Sequence, residues 1–192
     1  MSTTDVVARA AQTLLEASGE DVTREGLKNT PERFAKAWQE WNSGYNIKPT
    51  SVFTTFEDGA AGVDQMVTVG NISFWSLCQH HLAPFFGEVC VAYIPKNKIL
   101  GLSKIPRLID IFAKRLQVQE QLTNQIADAM QEGLDPIGVG VTIQARHSCV
   151  ESRGIRRAGA VTITSALRGA IKEEASARAE FMTFVQMATK GK

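Results

Sequence analysis

The sequence predicts an α+β fold with a helical arm at its N-terminus. Three observations carry that reading. Apolar residues recur at helical spacing twice in the first quarter of the chain. From about residue 63 the pattern changes to runs rich in β-branched and aromatic residues. Two such runs precede a long helical stretch and two follow it. The body therefore reads strand, strand, helix, helix, strand, strand, with antiparallel pairs expected.

Each element has a local cause. Residues 4–18 place Val6, Val7, Ala10, Leu14 and Leu15 at helical spacing, and Gly19 stops the helix. TPER opens a second helix, with Thr30 as N-cap, Pro31 in the first turn and Glu32 near the positive helix end. Its apolar stripe is Phe34, Trp38 and Trp41, and it stops near Gly44. Residues 46–62 are polar, with Pro and Gly, and read as a connecting loop. The chain thus divides into an arm with its loop, 1–62, and a body, 63–192.

In the body, DQMVTVGNISFW alternates Val67 and Val69 with polar neighbours. FFGEVCVAYIP gives a second strand, ended by Pro95 and the KNK turn. Ser103 can cap the helical stretch, and Pro106 is early enough to be tolerated. Apolar positions run Ile105, Leu108, Ile109, Phe112 and Leu116, then restart at Val118, Leu122, Ile126 and Met130. The step from 116 to 118 breaks the helical phase and predicts two helices joined at RLQVQE. GVGVTIQARHSC and AVTITSAL give two more strands, and SARAEFMTFVQMA closes the chain as a helix.

Composition narrows the function classes. At 192 residues and 44% apolar, the chain can bury a real core. A net charge of +1 gives no overall field toward nucleic acid or membrane, and neither partner is expected. MSTTDVVARAAQ has no apolar signal-peptide core and no apolar run approaches a membrane span, so a cytoplasmic protein is expected. Reduced cysteines there read as ligands, core fillers or nucleophiles.

The three histidines and three cysteines are unevenly placed. LCQHH holds Cys78, His80 and His81, and RHSC holds His147 and Cys149. Cys78 and His81 have the spacing of a turn that grips one metal. On an extended strand His147 and Cys149 would share a face, and either could complete the site. Cys90 alternates along an apolar strand and reads as core. His80, adjacent to His81, is poorly placed to bind the same metal, and a spare histidine beside a metal suits proton transfer. Basic residues form a second group. Arg146, Arg153, Arg156 and Arg157 surround the second cluster, and Lys104 and Arg107 follow Ser103 at a helix start. Any single arginine here is better explained by a solvated basic face. Together with the metal-type ligands, the group suggests a phosphorylated substrate and metal-assisted hydrolysis.

These segments resemble GTP cyclohydrolase I. The resemblance is carried by REGLKNTPERFAKAW, SLCQHHLAPFFG, GLSKIPR, RLQVQEQLT and HSCVESRG with TSAL downstream, and it runs from about Asp21 to Val185. It implies the tunnelling fold, conversion of GTP to 7,8-dihydroneopterin triphosphate and formate, and a homodecamer with active sites between subunits. It implies one Zn²⁺ per subunit on Cys78, His81 and Cys149. His80 and His147 become the acid–base pair, with Ser103 beside the sugar. Glu120, with Gln119 next to it, would meet the guanine edge, and Lys104, Arg107, Arg153 and Arg33 the triphosphate, Arg33 reaching in from a neighbouring subunit.

One position departs from the family's pattern: Gln79 stands where glutamate is usual. Loss of that charge is expected to tune activity, not abolish it. Two other readings compete. A nitrile reductase of the same fold would use a cysteine nucleophile and NADPH, but its lysine-rich signature is missing from this sequence. A non-catalytic zinc-stabilised purine- or pterin-binding oligomer would have no need of the two spare histidines.

Overall fold

The computed structural model describes residues 2–58, 60 and 62–190. The chain forms two compact units, Met1–Ser43 and Gly44–Lys192.

The first unit is a helix pair. Helix α1 (Thr3–Ala17) opens with a capping box, in which Ser2 and Asp5 each satisfy the other's backbone N–H. Helix α2 (Thr30–Trp41) carries Pro31 in its first turn. Its cap corrects the sequence reading: Asn29 occupies the N-cap position, and Thr30 lies inside the helix with its hydroxyl turned back to Gly26 O. Phe34 stacks on Trp38 at 5.9 Å and meets Trp41 edge-on.

The second unit begins in the segment expected to be a plain loop. It is more ordered than that. Two 3₁₀ turns, Ser43–Asn46 and Pro49–Val52, lead into a short strand β1 (Thr55–Phe56). β1 pairs antiparallel with β4 (Ile99–Leu100). No periodicity could announce a two-residue strand whose partner lies more than forty residues away.

The main sheet is built from β2 (Val67–Cys78), β3 (Pro84–Ile94), β5 (Leu116–Gln117), β6 (Gly138–His147) and β7 (Thr162–Gly169), in the order β5-β2-β3-β6-β7. The three long pairings are antiparallel, and β5 adds to β2 in parallel. β2 carries a bulge at Gly70–Asn71, with Asn71 at φ 56°. Between β3 and β6 lie α3 (Lys104–Ala113) and α4 (Gln119–Leu134), as the phase break predicts. The break itself is β5. Ser103 sits at the N-cap of α3, but in helical geometry and without a side-chain cap bond, contrary to expectation.

The core lies on one face of the sheet. Ile105, Leu108 and Ile109 of α3 and Leu122, Ile126 and Met130 of α4 are fully buried against Phe85, Val91, Val139, Val141 and Ile143. Each such aliphatic side chain contributes about 1.5–3 kcal/mol on burial. The opposite face is covered further along by α6 (Ala170–Glu173) and α7 (Ala175–Lys190), through Ile171 and Phe181 on Cys90 and Ala92. Phe181 lies so close to Gly140 that a Cβ there would sit 3.0 Å from its ring. Among the described residues no helix is long and apolar enough to cross a membrane.

Candidate active site

The site is assembled at the end of the sheet where β2 runs out. Cys78 is the last residue of β2. The chain then turns back at once. Leu82 N–H donates to Cys78 O and Cys78 N–H to Ala83 O, both at 2.8 Å, while Gln79 N–H donates to Gln117 O of β5 at 3.0 Å. Leu82 takes φ 52°, a left-handed conformation uncommon for a branched side chain, and this closes the loop in few residues. The side chain of Gln79 is exposed. The turn brings His80 Nδ1 to 3.8 Å and His81 Nδ1 to 3.9 Å from Cys78 Sγ.

The third ligand-type residue arrives differently from expectation. β6 ends at His147, and Ser148–Glu151 forms one helical turn, α5. Strand alternation therefore does not place Cys149 beside His147, because the chain has left extended geometry between them. Ligand atoms of Cys78, His81 and Cys149 all lie within 4.8 Å of one another. A four-coordinate metal with sulfur and imidazole ligands separates them by roughly 3.5–3.8 Å, so this spacing is close to what a metal needs. Two thiolates and an imidazole form the soft-to-borderline donor set that zinc and iron accept. Burial pushes the Cys149 thiol pKa up, and neighbouring Cys78 adds to that. The Cys149 thiol therefore resists ionising without a cation beside it. Arg153 Nη2 donates to His81 Nε2 at 2.8 Å.

His147 is the most tightly held histidine. Its ring lies flat on Phe85, with centroids 4.7 Å apart and planes 2° from parallel. Its Nε2 is 2.8 Å from Gln119 Oε1. Gln119 is 1% exposed, and its amide nitrogen faces three oxygens: Ile143 O, Thr162 O and Thr164 Oγ1, each at 3.1 Å. Two of those are carbonyls that cannot donate, so the amide nitrogen must point at them and Oε1 must accept from His147. Neutral His147 therefore carries its hydrogen on Nε2 and leaves Nδ1 as the basic atom. Burial holds the imidazole pKa below its ordinary value, and the Glu120 carboxylate opposes that.

The remaining expected residues fall in three places. Glu120 is exposed in the first turn of α4, beside the N-terminal N–H groups that have no intrahelical partner. Ser103, Lys104 and Arg107 lie at the start of α3, and Lys104 and Arg107 have no ion pair among the described residues. Arg33 belongs to the first unit, exposed on α2. The sequence reading missed Phe85 and Thr164, which hold His147 and Gln119. Phe85 faces His147 across the β3–β6 pair, but strand register is not written in either strand alone.

Comparisons with known proteins give the family. A family model described as GTP cyclohydrolase I matches residues 7–186. A protein named GTP cyclohydrolase 1 from Janthinobacterium sp. (strain Marseille) is 51% identical over 169 residues, covering 88% of this chain and 85% of that one. One from Nitrosospira multiformis is 48% identical over 175 residues, 91% and 92% of the two chains. One from Campylobacter jejuni (strain RM1221) is 51% identical over 179 residues, 92% and 93%. A crystal structure of an archaeosine synthase QueF-like protein aligns at a TM-score of 0.46 and 20% identity, over 54% of this chain and 93% of that one. Matched over nearly its whole length, with the cysteines and histidines of its two short clusters gathered at one end of the sheet, the chain belongs to the GTP cyclohydrolase I family.

Proposed function

We propose that the end of the sheet is a zinc site at which GTP is hydrolysed and rearranged to 7,8-dihydroneopterin triphosphate with release of formate. This is the activity of the family. The observation that carries the site reading is the approach of Cys78, His81 and Cys149 to within 4.8 Å. Cys78, His81 and Cys149 would hold the zinc, which when bound would acidify a water to a pKa of about 7 for attack at C8 of the guanine.

The protein's part is to orient the base, hold the phosphates and move protons. His147 exchanges its proton at Nδ1, because Nε2 is kept protonated by Gln119. As an acid at Nδ1 it would stabilise charge developing on the imidazole ring of the purine. Glu120 accepts from the guanine N–H edge. The Gln119 side chain is fully engaged inside the protein, so its contact with the base falls to its backbone N–H at the start of α4. Lys104, Arg107 and Arg153 bind the triphosphate, with Arg33 completing the set from a neighbouring subunit of a homodecamer. His80 and Ser103 serve the second half of the reaction, in which the ribose opens, rearranges and closes on the exposed amine.

The test is to incubate the metal-loaded protein with GTP and follow products by mass spectrometry. Dihydroneopterin triphosphate is expected. A formamide intermediate accumulating alone would restrict the failure to the sugar steps and to His80 or Ser103. Unchanged GTP would overturn the reading.

A further inference from the structure

His147 and Arg146 are successive residues at the end of β6 and so face opposite sides of the sheet. His147 stacks on Phe85 toward the core. Arg146, opposite Phe86 in the β3–β6 register, lies over the Phe86 ring at 5.7 Å. Phe86 in turn stacks on Trp75 at 4.3 Å. From this platform Arg146 reaches Glu151 through two parallel bonds, Nε to Oε1 at 2.7 Å and Nη2 to Oε2 at 2.8 Å. The same carboxylate oxygen Oε1 accepts from the backbone N–H of Gly159 at 3.2 Å.

Glu151 therefore ties three parts of the chain together: the end of β6, the turn of α5, and the returning limb of the loop 152–160. That loop is exposed at every residue. Further along it, Arg157 N–H also donates to Val150 O of that turn at 3.2 Å. Three of its residues, Gly154, Arg156 and Gly159, have positive φ. It carries Arg153, whose guanidinium lies 2.8 Å from His81 Nε2. The turn that presents Cys149 is closed independently, by Ser152 N–H and Ser152 Oγ to Ser148 O at 2.9 and 2.7 Å.

We propose that the Arg146–Glu151 pair is a positioning clamp for the loop 152–160: it holds Arg153 where the substrate's phosphates must arrive, without setting the turn that presents Cys149. The inference rests on the reading of Arg153 as a triphosphate ligand. A bidentate guanidinium–carboxylate bond with a third backbone donor restricts the loop before substrate binds, so less ordering cost falls on GTP. Its loss appears in KM, since the interaction is made equally in ground and transition states.

The experiment compares Glu151→Gln, Arg146→Met and Arg153→Ala with the parent. It reads KM and kcat for GTP, zinc content, and amide hydrogen exchange across 152–160. Glu151→Gln and Arg146→Met are each expected to raise KM about 3- to 10-fold, with kcat within about twofold. Zinc stoichiometry should stay unchanged and exchange in the loop should quicken. Arg153→Ala is expected to raise KM at least as much without changing exchange elsewhere. Unchanged loop exchange in both clamp variants overturns the clamp. Faster exchange with unchanged KM, while Arg153→Ala raises KM, overturns its role in positioning Arg153. An unchanged KM in Arg153→Ala overturns the triphosphate reading itself, and the clamp's function with it.

Discussion

Gln119 accepts a hydrogen bond from His147 through Oε1, at 2.8 Å, while its amide nitrogen is pinned by Ile143 O, Thr162 O and Thr164 Oγ1. The amide cannot flip without facing two carbonyl oxygens with its own oxygen. The proton position on His147 is thus decided by the backbone of β6 and β7, relayed through one glutamine. Gln119→Leu removes the relay and strands buried acceptors. It is expected to cost about 1–3 kcal/mol of stability. It should also lower kcat by about tenfold or more, up to the ~10²–10⁴-fold that general acid–base catalysis contributes in full. Chemical denaturation and steady-state kinetics check the two effects. The ¹⁵N shifts of His147 should show the Nε2–H tautomer in the parent and a mixture in the variant.

Metal removal should separate activity from fold. Cys78 is placed by β2 and its tight turn, and Cys149 by α5, each closed by its own backbone bonds. Chelation, or Cys149→Ser, is expected to abolish formate release while leaving the far-ultraviolet circular dichroism intact. Zinc analysis of Cys149→Ser should fall well below one ion per chain.

The Arg146–Glu151 clamp has a calculable pH window. The hydrogen bonds from Arg146 hold the Glu151 carboxyl pKa below its ordinary value. A carboxylate lowered in the folded state stabilises above its unfolded pKa, about 4.3. That stabilisation is lost as pH falls through the lower folded value. The difference in unfolding free energy between parent and Glu151→Gln should be constant from pH 8 to 5 and shrink toward zero in more acidic solution. Urea titrations across that range test this.

Cys90 should be inert. It is 6% exposed beneath α6 and α7, and burial pushes its thiol pKa up to about 11. At pH 8 only about one thiol in a thousand would be ionised. A disulfide reagent should leave Cys90 unmodified in the folded metal-loaded protein and react with it on unfolding.

Much of this was legible in the chain itself. The phase break between Leu116 and Val118 marks the junction that opens into β5, because helical periodicity is a local property. Cys90 reads as core for the same reason. The relation of His147 to Cys149 was not legible by alternation, since a single helical turn replaces the strand between them. Caps were misread where the polar side chain at a helix start found other work, as Thr30 did. The Gln119 network depends on β3, α4, β6 and β7 at once, and no single segment records such a meeting. The motif series, by contrast, singled out Cys78, His81 and Cys149, whose ligand atoms the fold brings within 4.8 Å of one another.

The sheet order leaves two open borders. β5 covers β2 at Leu77 and Cys78, so from Val67 to Ser76 the outer edge of β2 has no strand partner among the described residues, and neither has that of β7. Ile163 on β7 is 69% exposed. A long unpaired edge invites a further strand. If a second copy of this chain pairs its β2 edge with the β7 edge, each addition would leave the same pair of borders free until a ring closed. Association through those edges would join folding to assembly in one equilibrium, and the melting temperature would then rise with protein concentration.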